Sequence, residues 1–87
     1  MKVAVIGAGG HVGFPFACVV ADAGHTVYGI DVNENTVDLL NKGIAPYREE
    51  GAEDILFHNL QNNLQFLLRF LSLILYELDI LHLVIFF

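Results

Sequence analysis

Gly7, Gly10 and Gly13 recur at intervals of three, with Gly9 among them, between a β-branched run and an amphipathic stretch. Glycines at such a junction let the chain turn tightly, bring backbone N–H groups up to a phosphate with no Cβ in the way, and pack the following helix close to the strand. The helix N-terminus then adds unpaired N–H groups and about half a positive charge, worth roughly 0.3 to 2 kcal/mol to a bound anion. The chemistry this predicts is recognition of a dinucleotide pyrophosphate. Against G-x-G-x-x-G the match is imperfect, because position 12 is Val and the third glycine comes one residue late; the spacing fits G-x-x-G-x-x-G. Both spacings put the loop in the same place and leave open whether Gly9 or Gly10 faces the pyrophosphate. Asp31, 18 residues past Gly13, supplies the second half of the pattern, an acid that accepts hydrogen bonds from the adenosine ribose hydroxyls. A carboxylate there repels a 2′-phosphate, and Val32 to Asn41 contain no Lys or Arg to replace it. The expected cofactor is therefore NAD and not NADP, held by Gly7, Gly9, Gly10, His11, Val12, Gly13 and Asp31.

These residues need a strand, a helix and a second strand to position them. Lys2 to Ile6 read as a strand buried on both faces of a parallel sheet. The helix is expected to start at about Gly10 or His11, with Val12, Phe16, Val19, Val20 and Ala23 on its apolar face and Gly24 as its stop. Pro15 is compatible with a first turn, whose N–H groups lack intrahelical partners. Thr26 to Ile30 or Asp31 form the second strand, and Asn33 caps a short helix carrying Val37, Leu39 and Leu40 and ending at Gly43. Ile44 to Gly51 read as a loop. A further helix is expected from near Ala52, with Leu56, Leu60, Leu64 and Leu68 spaced by four and Asn59, Asn62 and Asn63 turned outward.

In the last 22 residues, Phe66 to Phe87, leucine is so dense that helical and strand periods both fit. Ile80 to Phe86 resemble a buried parallel strand. A membrane helix competes with this, but Arg69, Glu77 and Asp79 interrupt the stretch, each at a cost of about 2.5 to 3.5 kcal/mol near a helix centre. The expected fold class is thus α/β, a partial Rossmann fold with a parallel sheet of about three strands and flanking helices.

Other candidate residues carry less. His11 could touch a phosphate, yet it reads better as a partly exposed polar residue at a helix start. His25 suits a turn, and the four histidines are too scattered for a metal site. Cys18 sits among apolar neighbours as a small buried hydrophobe. Glu49, Glu50, Glu53 and Asp54 could suggest paired-carboxylate catalysis, but acids in a helix's first turn are expected from the dipole alone.

Composition bounds the rest. A chain of 87 residues is one domain at most and buries only about 60 to 65% of its unfolded surface, so its stability is marginal. With 55% apolar residues it is not disordered, and with four Lys plus Arg and a net charge of −6 it does not suit nucleic acid. The single cysteine excludes an internal disulfide. Met1 leads straight into a strand-like run without a signal peptide, which predicts a cytoplasmic chain. A sheet of three strands with uncovered edges would favour self-association.

The run Val5-Ile6-Gly7 to Gly13-Phe14-Pro15, then Gly24-His25 and Gly29-Ile30-Asp31-Val32-Asn33, resembles the UDP-glucose/GDP-mannose dehydrogenase family. Val37, Leu40-Asn41, Gly43-Ile44, Pro46, Glu49 and Gly51 extend the resemblance past the glycine loop, with Glu50 where that family has Pro. It covers about Met1 to Leu56 and leaves residues 57–87 as a divergent, leucine-rich tail. The family strand that Ile80 to Ile85 resemble runs into a Gly-Thr-Pro turn, whereas here Phe86-Phe87 follow. The resemblance implies an NAD-binding portion of an enzyme that oxidises the C6 hydroxyl of a nucleotide sugar to a carboxylate in two steps, through a cysteine-linked thiohemiacetal and thioester. It implies also that the catalytic cysteine, the lysine and the nucleotide-sugar domain lie beyond position 87, so no catalytic residue carries over. A truncated gene, a shifted reading frame or a fragment would account for the tail, and such a chain alone is expected to be inactive. Two other classes fit the spacing less closely. One is another NAD-dependent family, a short-chain epimerase or hydroxyacid dehydrogenase; the other is a non-catalytic remnant whose apolar tail binds a membrane or partner.

Overall fold

The computed structural model describes residues 1–46, 51–68 and 82–85. Strand β1, Lys2–Ile6, is followed by helix α1, Gly13–Asp22, and strand β2, Thr26–Asp31. Helices α2, Glu34–Asn41, and α3, Ala52–Leu60, precede strands β3, Leu64–Leu68, and β4, His82–Ile85. The strands form one parallel sheet in the order β3-β2-β1-β4. The expected partial Rossmann sheet is thus present, with four described strands. The chain winds outward from β1 to β3 and then returns to the other side of β1. That reversal opens a crevice at the C-terminal ends of β1 and β4, where ligands bind in open parallel sheets.

Three corrections concern how leucine and asparagine are used. The four-residue leucine spacing predicted one helix through Leu68, but α3 stops at Leu60 and Leu64 opens β3. Turn residues 61–63 break the spacing, and Leu64 and Phe66 are buried two apart, as a strand requires. Asn59 does not face outward: it is 3% exposed and donates to Asp22 Oδ1 (3.2 Å) and to the Ile55 carbonyl (2.9 Å). Asn63 also turns in, its Nδ2 donating to the carbonyls of Ala21 (2.6 Å) and His25 (2.7 Å). Asn62 is exposed as expected. A buried amide is retained only when its hydrogen bonds are made, and these two join α3 and the turn after it to the last turn of α1 and the start of β2.

The apolar face of α1 is also rotated from the expected one. Phe14, Ala17, Cys18 and Ala21 are buried, whereas Val12 and Val19 are 63% and 67% exposed. After Phe14, the buried positions of α1 are filled by the small side chains of Ala17, Cys18 and Ala21. The main core gathers Val3, Val5 and Val27 of the sheet, Phe14, Leu40 and Leu56 of the three helices, and Phe66, all on one face. Each such large side chain contributes about 1.5 to 3 kcal/mol by burial. Ala4 and Ile30, with Ile6 and Leu67, form a smaller cluster on the opposite face.

The helix ends behave as their residues dictate. Gly24 and Gly43, at φ of 103° and 83°, terminate α1 and α2 in left-handed conformation. The following amides of His25 and Ile44 reach back to the carbonyls of Val20 and Leu39. Asn33 caps α2, its side chain accepting from the Thr36 N–H at 3.1 Å. Glu53 and Asp54 lie in the first turn of α3, as the dipole reading expects. Ile44 to Pro46 and Gly51 lie between helices; 47–50, with Glu49 and Glu50, fall outside the described residues. The strand expected over Ile80 to Phe86 is β4 at its centre, while Ile80, Leu81 and Phe86 fall outside the described residues. So do Arg69, Glu77 and Asp79, which weighed against a membrane helix. Among the described residues no helix is long and apolar enough to cross a membrane.

Candidate functional site

The loop from Gly7 to Val12 leaves the end of β1 and enters α1, and each backbone N–H from Gly7 to Gly10 is committed. Gly7 and Ala8 both donate to the Ile30 carbonyl, at 2.8 and 3.1 Å. The Gly9 N–H donates to Asp31 Oδ2 at 2.9 Å, and the Gly10 N–H donates to the Gly7 carbonyl at 3.0 Å. Gly7 makes this turn possible with φ at 82°. The loop is therefore fastened to the end of β2 before any ligand arrives.

The second half is arranged the other way. Helix α1 begins at Gly13, later than the expected Gly10 or His11, because Gly10 is still used in the turn. Val12 occupies the cap position with φ −100° and ψ −42°, with no side-chain cap and no acid in the first turn. The Phe14 N–H is taken by the Gly10 carbonyl, and Pro15 has none. The amides of Val12 and Gly13 stand at the cap and first positions of α1, where a helix has no intrahelical partner for its N–H groups.

Two glycines are fixed by close approach. A Cβ on Gly13 would overlap the Gly7 carbonyl oxygen, so only glycine lets α1 start beneath the turn. A Cβ on Gly9 would lie 2.6 Å from Thr36 Cγ2 and 2.8 Å from Asp31 Oδ2. Gly9 therefore faces the β2–α2 junction, and its space is filled by protein. A Cβ on Gly10 would meet only the Gly7 carbonyl, at 3.3 Å. His11 and Val12 are exposed at the start of the helix.

Asp31 lies at the C-terminal end of β2, where the sequence placed it, but it does more than the sequence showed. Its Oδ1 accepts from the Asn33 N–H at 3.0 Å while Oδ2 accepts from Gly9. A carboxylate has about four acceptor positions, so two remain for ribose hydroxyls after both backbone bonds are made. The expected site residues thus converge: the loop, the helix start and the acid meet at one end of the sheet. Sequence reasoning missed Thr36, whose methyl covers Gly9, and Gly29, where a Cβ would lie 2.5 Å from the Phe66 ring and 2.9 Å from the Ala8 Cβ. Gly29 is glycine because the loop and Phe66 both press on β2; its position inside a strand was the available signal.

An uncapped helix start with no acid in its first turn, on a loop fastened to a fixed carboxylate, fits the pyrophosphate and adenosine ribose of a dinucleotide. The model of the UDP-glucose/GDP-mannose dehydrogenase family, NAD binding domain, matches residues 1–85. The chain belongs to this family. NAD is the cofactor of this dehydrogenase domain. Among its relatives, UDP-N-acetyl-D-mannosamine dehydrogenase of Campylobacter jejuni is 44% identical over 71% of the chain and 15% of the relative. A protein of Methanocaldococcus jannaschii without an assigned function is 42% identical over 76% of the chain and 7% of its own length. Among solved structures, GDP-mannose dehydrogenase of Pseudomonas aeruginosa superposes with a TM-score of 0.88 at 31% identity, over all of this chain and 19% of that one. UDP-glucose dehydrogenase of Pyrobaculum islandicum gives 0.71 at 36% identity, over 76% of this chain and 15% of that one. The dehydrogenase domain thus spans between 7 and 19% of the length of these relatives.

Among the described residues, no group of three or more His, Cys, Asp or Glu could hold a metal ion. Cys18 is buried in the α1 face, away from this end of the sheet.

Proposed function

We propose that this chain binds NAD across the C-terminal ends of β1 and β2 and serves the cofactor half of a nucleotide-sugar oxidation. In this reading the Val12 and Gly13 amides, with the dipole of α1, hold the pyrophosphate. Gly7, Gly9 and Gly10 shape the loop, His11 flanks it, and Asp31 accepts the adenosine ribose hydroxyls. The 87 residues act as one cofactor-binding unit. Held by these residues, NAD would supply the hydride acceptor for oxidation of an alcohol. The substrate is a nucleotide sugar oxidised at C6, a reading supported by relatives that act on UDP-N-acetyl-D-mannosamine and GDP-mannose. Its recognition falls to other parts of the enzyme.

The observation that carries the proposal is the contrast within one loop region: an uncapped helix start follows a turn fastened to a carboxylate that is itself fixed by two backbone N–H groups. Titration calorimetry with NAD and NADP tests it. NAD should bind at least about tenfold more tightly, since a 2′-phosphate would meet the Asp31 carboxylate. Equal affinities would show that Asp31 does not read the ribose.

A further inference from the structure

Parallel strand β3 stands at the end of the described sheet, where a row of outward N–H and C=O groups would invite another strand. The register identifies those groups. The Asn63 carbonyl accepts from the Val27 N–H of β2 at 2.7 Å, so its backbone faces inward. By alternation, Gln65 and Leu67 also face β2, while Leu64, Phe66 and Leu68 present their backbone groups outward. Phe66 is the midpoint of this five-residue edge.

Both outward groups of Phe66 are occupied by one side chain. Asn41 Oδ1 accepts from the Phe66 N–H at 3.0 Å, and Asn41 Nδ2 donates to the Phe66 carbonyl at 2.8 Å. A carboxamide offers an acceptor and a donor with the spacing of a peptide group, so Asn41 takes the place that a residue of an added strand would fill. It is the last residue of α2, and the left-handed Gly43 turns the chain away directly afterward. The side chain is exposed at its own position, yet it is fixed by two hydrogen bonds across 25 residues of sequence.

We propose that Asn41 seals the β3 edge against strand pairing with a second copy of this chain. An incoming strand needs successive outward residues, and the occupied midpoint leaves none adjacent. Shape and hydrogen bonding at one asparagine thus close an edge that lacks a proline, and none of its five residues is charged.

Sedimentation velocity on the 87-residue chain over a concentration series tests this, with amide exchange followed at Phe66. Asn41→Ala should accelerate exchange at Phe66 at least about tenfold and bring concentration-dependent association above the wild-type level. Adding Gln65→Lys, a charge on the same exposed edge, should restore the wild-type level. Asn33→Ala, which weakens the cap of α2 without opening β3, should leave association unchanged. A folded Asn41→Ala chain that associates no more than wild type would overturn the proposal. So would association insensitive to Gln65→Lys, or equal association in Asn33→Ala. If Asn41→Ala does not fold, Asn41→Asp decides: it keeps the acceptor for the Phe66 N–H but sets a carboxylate oxygen against the carbonyl. Increased association is then required, and an unchanged level rejects the seal.

Discussion

Helices α1 and α2 both leave the C-terminal ends of adjacent strands, but their N-termini are opposites. At α2, Asn33 accepts from the Thr36 N–H and Glu34 stands in the first turn, so the helix end is completed by its own residues. At α1 there is no cap and no acid, and valine occupies the cap position. A missing cap costs about 1 kcal/mol of stability. Placed where the sheet order reverses, the incomplete end is what an anion can complete. In the proposed reading, the chemistry that stabilises α2 by itself is left in α1 for the cofactor phosphates.

The largest expected break in this contrast is Gly13→Val. Its Cβ would collide with the Gly7 carbonyl, a backbone atom that cannot turn aside. The start of α1 must then move, with a loss of about 3 kcal/mol or more in stability and no measurable NAD binding. Denaturant unfolding and calorimetry would check both. A stable Gly13→Val chain with wild-type affinity would mean that the tight turn beneath α1 is not needed.

Asp31→Ala should come next. It removes the proposed ribose acceptor and frees the Gly9 N–H, with an expected cost of about 1 to 3 kcal/mol in NAD binding by titration. Asn33→Ala should be smaller and of another kind. It removes the cap of α2 and about 1 kcal/mol of stability, which lowers Tm by roughly 4 to 8 °C in a domain of this size. NAD affinity should stay within about threefold, because the backbone N–H that Asp31 holds is retained. Equal losses of affinity in the two variants would erase the distinction between a binding terminus and a folding terminus.

How much of this the sequence discloses depends on the range of the interactions. The glycine loop, the Asn33 cap and the stops at Gly24 and Gly43 were legible because each acts within a few residues, and Asp31 because it stands at a fixed spacing at the end of the second strand. Recognising the family rested on the same local signals. The rotated face of α1 was not legible, since valine and alanine both count as apolar and both spacings of three and four fit a helix. Leu64 and Leu68 continue a four-residue spacing yet lie in β3, because a leucine-rich stretch satisfies either period and the turn at 61–63 decides. Asn59 and Asn63 read as surface amides, but their partners lie 37 and 38 to 42 residues away or close at hand on α3, and Asn41 bonds a residue 25 positions on. Nothing local announces such bonds. The tie from Asp31 to Gly9 escaped for the same reason.

The smallest expected change in stability, and the one that tests the contrast most directly, is Val12→Asp. Val12 is exposed, so the new side chain needs no repacking. Its backbone is already right-handed helical, which does not favour the extended geometry of a capping side chain, so the gain should come from the dipole. About 0.3 to 1 kcal/mol of added stability is expected at low salt, falling as salt is raised. NAD binding should move the other way, because a fixed negative charge would occupy the position offered to the pyrophosphate. Val12→Asn, similar in shape and uncharged, separates charge from size and should largely keep the affinity. If Val12→Asp gained stability and bound NAD as wild type does, the open end of α1 would not be the phosphate site, and the difference between the two helices would be one of folding alone.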